Sequence, residues 1–171
     1  MQPTPQDSPL PDFVEPSPAN IAPAVSELLA IVAERGPRTA RVTRAADLIR
    51  RRGRYRWVGI YDVGPEEISV IAWSGASAPA FPSFPVSKGL NGDAVRTGKP
   101  VVVGDVLNDP RYLTTFGSTR SEIVVPVLRA GSNTVVGTID VESEEPFAFK
   151  ERDVEVLQRF ADALASLWTD K

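Results

Sequence analysis

Two stretches in the second half of the chain alternate between core-type and polar positions. In residues 121–129, Ile123, Val125 and Val127 fall on one face and Glu122, Val124 and Pro126 on the other. In residues 134–142, Val135, Gly137, Ile139 and Val141 oppose Val136, Thr138, Asp140 and Glu142. A period of two on both sides of a Gly-containing break predicts an antiparallel hairpin. Asp140 and Glu142 are two residues apart and share a face; a matching loop register adds Glu122. Three carboxylates at one end of a sheet repel one another unless water or a positive partner compensates them. The face is therefore either solvated or a pocket for something cationic or rich in hydrogen-bond donors.

Elsewhere the apolar period lengthens to that of a helix. Ile21, Val25, Leu28, Leu29 and Val32 predict a helix capped by Asn20 and ending at Gly36. Val42, Ala45, Ala46, Leu48 and Ile49 predict a second over residues 38–52, and Val154, Leu157, Phe160, Ala161, Leu164 and Leu167 a last one over 151–168. Between them lies a strand at 55–62, with Tyr55, Trp57, Gly59 and Tyr61 on one face and Val58 and Ile60 on the other. A Gly64-Pro65 turn leads to a strand at 67–73. Short strands are expected at 85–86 and 101–103, with a short helix at 93–96. Residues 105–117 form a long surface excursion of the kind that closes binding sites. Terminal helices around a mostly antiparallel set of strands predict an α+β fold, with the helices on one sheet face. The carboxylate face is then left for a ligand under the middle loops. A helix packed over that face would overturn this reading.

The 171 residues suit one domain over 20–171, preceded by a disordered or extended tail at 1–19 that carries Pro3, Pro5, Pro9, Pro11, Pro16 and Pro18. A net charge of −3 is too small to argue for nucleic acid. No run of about 18 apolar residues is present, so no membrane span is expected. The amino terminus has neither a basic start nor an apolar core, and a cytoplasmic location is expected. Arginines are dense from Arg35 to Arg56. No aromatic residue interleaves with the helical ones and no Gly-rich phosphate loop follows. A solvated face that also pairs with the acidic last helix is preferred over a phosphate footprint.

Two absences narrow the chemistry further. The chain has no cysteine, which excludes disulfides, thiolate metal sites, thiol redox catalysis and thioether-linked bilins. It has no histidine, which removes the usual haem ligand, the commonest zinc ligand and the commonest general base. No metal site and no cofactor is assigned. Carboxylate, lysine, hydroxyl and arginine chemistry remain, or simple binding.

From about Trp57 to Leu167 the chain resembles the GAF domain family. The resemblance rests on KGLNGDAVRTGKPVVVGDVLNDPRY (88–112), SEIVVPV (121–127), VVGTIDVES (135–143) and ERDVEVLQRFADALASL (151–167). It implies a central antiparallel sheet with terminal helices on one side and a loop-covered small-molecule pocket on the other. WVGIY, RSEIVVP and IDVES are most similar to the free methionine-(R)-sulfoxide reductase branch. There a pocket tryptophan and carboxylates hold the ligand, the carboxylates engaging its ammonium group. The matching positions are Trp57, Glu122, Asp140 and, conservatively replaced, Glu142. That branch reduces its substrate with cysteine thiols. The matching places here hold Asn91, approximately Thr115, and the region of Phe81 and Phe84. None can form a sulfenic acid and a disulfide. The resemblance supports the pocket and argues against the activity.

The leading reading is a non-catalytic, sensory or regulatory GAF-type domain that binds an amine-bearing or polar small molecule. Trp57 and Tyr61 would be walls, and Glu122, Asp140 and Glu142 acceptors. A homodimer through the terminal helices is the expected partner. One alternative is an enzyme, either a diverged reductase relative or a cysteine-free hydrolase, although no nucleophile–base pair is visible. Another is a dimerisation or interaction module without a ligand, which apolar residues left exposed on the terminal helices would favour. Cyclic nucleotides fit poorly, since a phosphate would sit beside three carboxylates.

Overall fold

A computed structural model describes residues 17–169, so the expected proline-rich tail lies outside the described residues up to position 16. Helix α1 (Ala22–Ala33) starts with a proline in its first turn, where a missing N–H costs nothing. Asn20 does not cap it; its side-chain oxygen instead accepts from the Ser17 N–H at 2.6 Å. The helix ends at Ala33, short of Gly36, because Glu34 is already extended. Helix α2 (Arg38–Gly53) buries the expected stripe and closes on Arg54 in the left-handed conformation. Leu29, expected in the core, is 49% exposed.

The sheet has six antiparallel strands in the order β3-β2-β1-β6-β5-β4: β1 (Trp57–Val63), β2 (Glu67–Ser74), β3 (Ser83–Pro85), β4 (Val101–Val103), β5 (Ser121–Leu128) and β6 (Val135–Ser143). Helix α3 (Gly89–Thr97) is longer than the four residues expected, beginning inside the Lys88–Gly92 segment. Helix α4 (Glu151–Leu164) runs on into a 3-10 turn at Ala165–Trp168. Among the described residues no helix is long and apolar enough to cross a membrane.

Strand alternation divides the sheet into two unlike faces. Val58, Ile60, Ile123, Val125, Val127, Ile139 and Val141 pack with α1, α2 and α4 in the main core. The opposite face carries two smaller apolar clusters. One is built on Trp57, Tyr61 and Ile68; the other joins Leu90 and Ala94 of α3 to Val103, Val106 and Val124. The predicted division of helices to one face therefore holds for α1, α2 and α4, while α3 lies on the other.

The carboxyl-terminal end is tied back onto β1. Arg38 makes a two-pronged ion pair with Asp62 (2.9 and 2.7 Å), its guanidinium stacks 4.7 Å from the Trp168 ring, and the Trp168 indole N–H donates to the same carboxylate at 2.7 Å. Other arginines of the dense run pair with Glu27 of α1, Glu34 just beyond its end, and Asp47 of α2. The ion pairs of the helical arginines thus go to acids of β1, α2, α1 and the α1 end, not to the acids of α4 expected from the sequence, although Arg38 also donates to the Leu167 carbonyl at 3.0 Å.

Candidate ligand-binding site

The hairpin register decides the geometry. Glu122 stands directly opposite Glu142, and Val124 opposite Asp140; on the other side of β6, Trp57 faces Glu142 and Gly59 faces Asp140. All three carboxylates therefore project from one sheet face, beside Trp57 and Tyr61. Next to them β2 carries an extra residue, Ile71, where the pairing jumps from Ile60–Ala72 to Tyr61–Val70. Gly59 is required here, because a Cβ would lie 2.4 Å from the Trp57 ring and 2.8 Å from that of Tyr61.

The solvated alternative is excluded. Glu122, Asp140 and Glu142 are 4%, 2% and 0% exposed. One oxygen from each lies within 4.8 Å of the others. Asn91 of α3 donates to Asp140 Oδ2 at 2.9 Å and accepts from the Thr138 hydroxyl at 2.5 Å. The Thr119 hydroxyl donates to Glu142 Oε2. Among the described residues, Asp140 Oδ1 and Glu142 Oε1 are buried without a hydrogen-bond partner.

Burial and proximity act together on these groups. Burial, then the charges of Asp140 and Glu142, raise the Glu122 carboxyl well above the usual range. Burial, then Glu142, raise Asp140 likewise, against the lowering effect of the Asn91 hydrogen bond. Burial also raises Glu142, and hydrogen bonds from Thr119 and Thr115 oppose it. The Tyr61 hydroxyl is held neutral by burial and the three neighbouring charges. Tyr112 is pushed up to about 12, first by burial and then by Glu142. The cluster thus holds protons that isolated carboxylates would have released.

A narrow cleft reaches Glu122 and Asp140 from the surface. Tyr61, Phe81, Phe84, Leu90, Asn91, Leu113 and Thr115 line it, and its free volume is about 10 Å³, room for about one water-sized occupant. The condition set against a pocket is thus partly met: α3 packs over this face and nearly closes it. However, α3 brings one amide to three carboxylates and leaves two oxygens unanswered. A larger groove of about 760 Å³, near Val63, Lys99 and Leu128, has no buried residue in its lining.

Of the positions singled out in the sequence, Tyr61, Glu122 and Asp140 line the cleft. Glu142 belongs to the carboxylate cluster but opens toward a different cavity, beside Arg54, Arg56 and Arg152. Trp57 does not line the cleft: its indole N–H is committed to the Ser77 carbonyl at 3.0 Å and its ring packs edge-on to Phe116. Asn91, Thr115, Phe81 and Phe84, noted as places without a cysteine, all converge on the cleft. Leu113 and Thr115 come from the 105–117 excursion expected as a further wall of the pocket, whereas Leu90 was missed, since nothing local distinguishes it from a core leucine. Thr138 was legible as a site-face position but not as the partner of Asn91.

The antiparallel sheet, the three helices behind it and the covered pocket in front define a small-molecule-binding fold, and the chain belongs to the GAF domain family, whose model matches residues 39–168. It is similar to the structure of free methionine-R-sulfoxide reductase from Neisseria meningitidis in complex with its substrate, at 28% identity and a TM-score of 0.77, covering 87% of this chain and 88% of that one. The type II enzyme of the same name from Thermoplasma acidophilum matches at 30% identity and a TM-score of 0.71, covering 82% and 94%. Among curated relatives, protein YtsP of Bacillus subtilis is 30% identical over 108 residues, which is 63% of this chain and 65% of YtsP. The chain thus spans slightly under two thirds of that relative's length.

Proposed function

We propose that the chain is a non-catalytic, sensory or regulatory GAF protein whose ligand carries an amine held by Glu122, Asp140 and Glu142. The observation that carries this reading is the pair of buried, unpartnered oxygens, Asp140 Oδ1 and Glu142 Oε1. The side-chain donors hydrogen-bonded to Asp140 and Glu142, Asn91 and Thr119 with Thr115 close by, are neutral, and the nearby charge of Arg56 acts on Glu142 alone. A protonated amine brings both a positive charge and three N–H donors. Tyr61, Phe84, Leu90 and Leu113 offer an apolar wall to the rest of the ligand, and Trp57 supports that wall from behind. A metabolite needs more room than the closed cleft has, so binding requires α3 and the 105–120 segment to part from the 81–84 segment. The similarity to a free methionine-R-sulfoxide reductase solved in complex with its substrate supports a small-molecule ligand. Reductase activity is not part of the reading, because Asn91, Thr115, Phe81 and Phe84 cannot cycle through a sulfenic acid and a disulfide.

Thermal unfolding against methionine, both sulfoxide epimers, other amino acids, simple amines and cyclic nucleotides tests it. A ligand at a hundred times its Kd adds about 2.7 kcal/mol of stability. The expected result is a shift with an amine-bearing compound that Asp140→Asn removes. No shift, or a shift with cyclic nucleotides alone, would overturn it.

A homodimer is proposed through α1 specifically. The apolar stripe of α4 is largely buried within the chain, whereas Ala22, Pro23, Leu29, Ala30 and Ala33 of α1 are all exposed. Sedimentation should show a dimer that Leu29→Glu converts to monomer, with the fold retained. A wild-type monomer at high concentration would remove this part.

A further inference from the structure

We propose that the closed Glu122–Asp140–Glu142 cluster binds one hard divalent cation of calcium or manganese size. This inference shares the site of the proposed function but not its ligand. The sequence assigned no metal because it lacks cysteine and histidine, and carboxylates from separate strands carry no spacing signature. The structure supplies what spacing could not. One oxygen from each residue lies within 4.8 Å of the others, a span that ligands about 2.4 Å from a single ion can bridge. Asp140 Oδ1 and Glu142 Oε1 are partnerless in side chains 2% and 0% exposed.

The remaining oxygens are already oriented. Asn91 holds Asp140 Oδ2 and Thr119 holds Glu142 Oε2, so two of the three carboxylates are fixed by a neighbour and keep one oxygen without a hydrogen bond. An all-oxygen donor set selects hard cations over zinc or copper. The free volume of about 10 Å³ beside Glu122 and Asp140 decides between occupants of the closed state: a single ion fits there, within reach of Glu142, where a metabolite does not. The cleft past Phe81, Leu113 and Thr115 gives the ion its way in. Ion and amine then compete for the same oxygens, so divalent cation raises the ligand concentration needed to open the pocket.

The test uses the whole chain, freed of metal by a chelator and dialysed, and Mn²⁺ as probe. Loss of the free Mn²⁺ electron paramagnetic resonance signal should report one saturable ion per chain, displaced by Ca²⁺. Asp140→Asn and Glu122→Gln should each weaken it at least the ~10-fold that losing an outer hydrogen-bond partner costs at metal sites. Asp93→Asn, altering a surface carboxylate paired with Arg96 and Arg111, should change nothing. Absence of saturable uptake up to millimolar Mn²⁺ would overturn the proposal, as would uptake that both cluster variants leave intact. Amine titrations repeated in chelator keep the two ideas apart. Amine binding without Mn²⁺ uptake sinks the cation and spares the proposed function, and the reverse does the opposite.

Discussion

Asp140→Asn is expected to make the ligand-free, chelator-treated protein more stable, by about 1–3 kcal/mol, while removing its response to amines. The native carboxylate is buried beside two others, and a side-chain amide, that of Asn91, donates to it. An amide at that position keeps an oxygen for the Asn91 N–H and turns N–H donors toward Glu122. Repulsion becomes a hydrogen bond. At roughly 2–4 °C per kcal/mol for a chain of this size, the midpoint of thermal unfolding rises by several degrees. A drop in the midpoint would show that the carboxylate serves the fold itself.

The second large effect is an inverted dependence on pH. In chelator, the free protein should lose stability as the pH rises above the usual carboxylate range and approaches the raised values of the cluster. Glu122, Asp140 and Glu142 all have folded-state pKa values raised by burial and mutual charge. Each is protonated in both folded and unfolded chains below the usual carboxylate range, and there the stability linked to them is fully present. As the pH climbs through the raised values the fold must either keep protons that the unfolded chain has released or ionise in a buried cluster. The slope approaches ~1.4 kcal/mol per pH unit for each proton retained. Asp93 and Asp109 act in the opposite direction. Hydrogen bonds from Arg111 lower both, so their contribution is lost only in acid, below this window. Urea unfolding at a series of pH values measures the slope, and Asp140→Asn should flatten it. Stability that rises over that window would mean the carboxylates are ionised within the fold.

The fold was legible because strand period and helix period rarely coincide. The β5–β6 alternation placed Ile123, Val125, Ile139 and Val141 in the core and the three acids opposite, as found. The α2 stripe was read without error. The failures have local causes. Leu29 fits the helical period but faces outward, because α1 touches its neighbours along a narrower strip than the pattern implied. The start of α3 was hidden by Gly89 and Gly92, which read as loop until packing under the 85–88 backbone leaves no room for a Cβ at Gly92. For the site, the acids and Tyr61 could be seen, because shared parity is written into a strand. Asn91 was noticed only by resemblance, since its role depends on a helix laid across the sheet. Burial of the acids was undecidable from pattern alone. Solvated and covered carboxylates have the same spacing, and the placement of α3 and of the 81–84 and 105–120 segments over the sheet settles which they are.

The same acids constrain how the chain finds its fold. In β6 the residues alternate Thr138, Ile139, Asp140, Val141, Glu142, and the core-facing members meet Leu157 and Phe160 of α4 in one cluster. Slipping β6 by one residue against its neighbours would turn Asp140 and Glu142 into that cluster, with no donors waiting. Each buried, unpaired carboxyl would cost several kcal/mol. A row of valines and isoleucines on both faces would tolerate such a slip far more readily. The acidic row therefore acts as a proofreader during assembly, penalising every odd-numbered misalignment of the central strands.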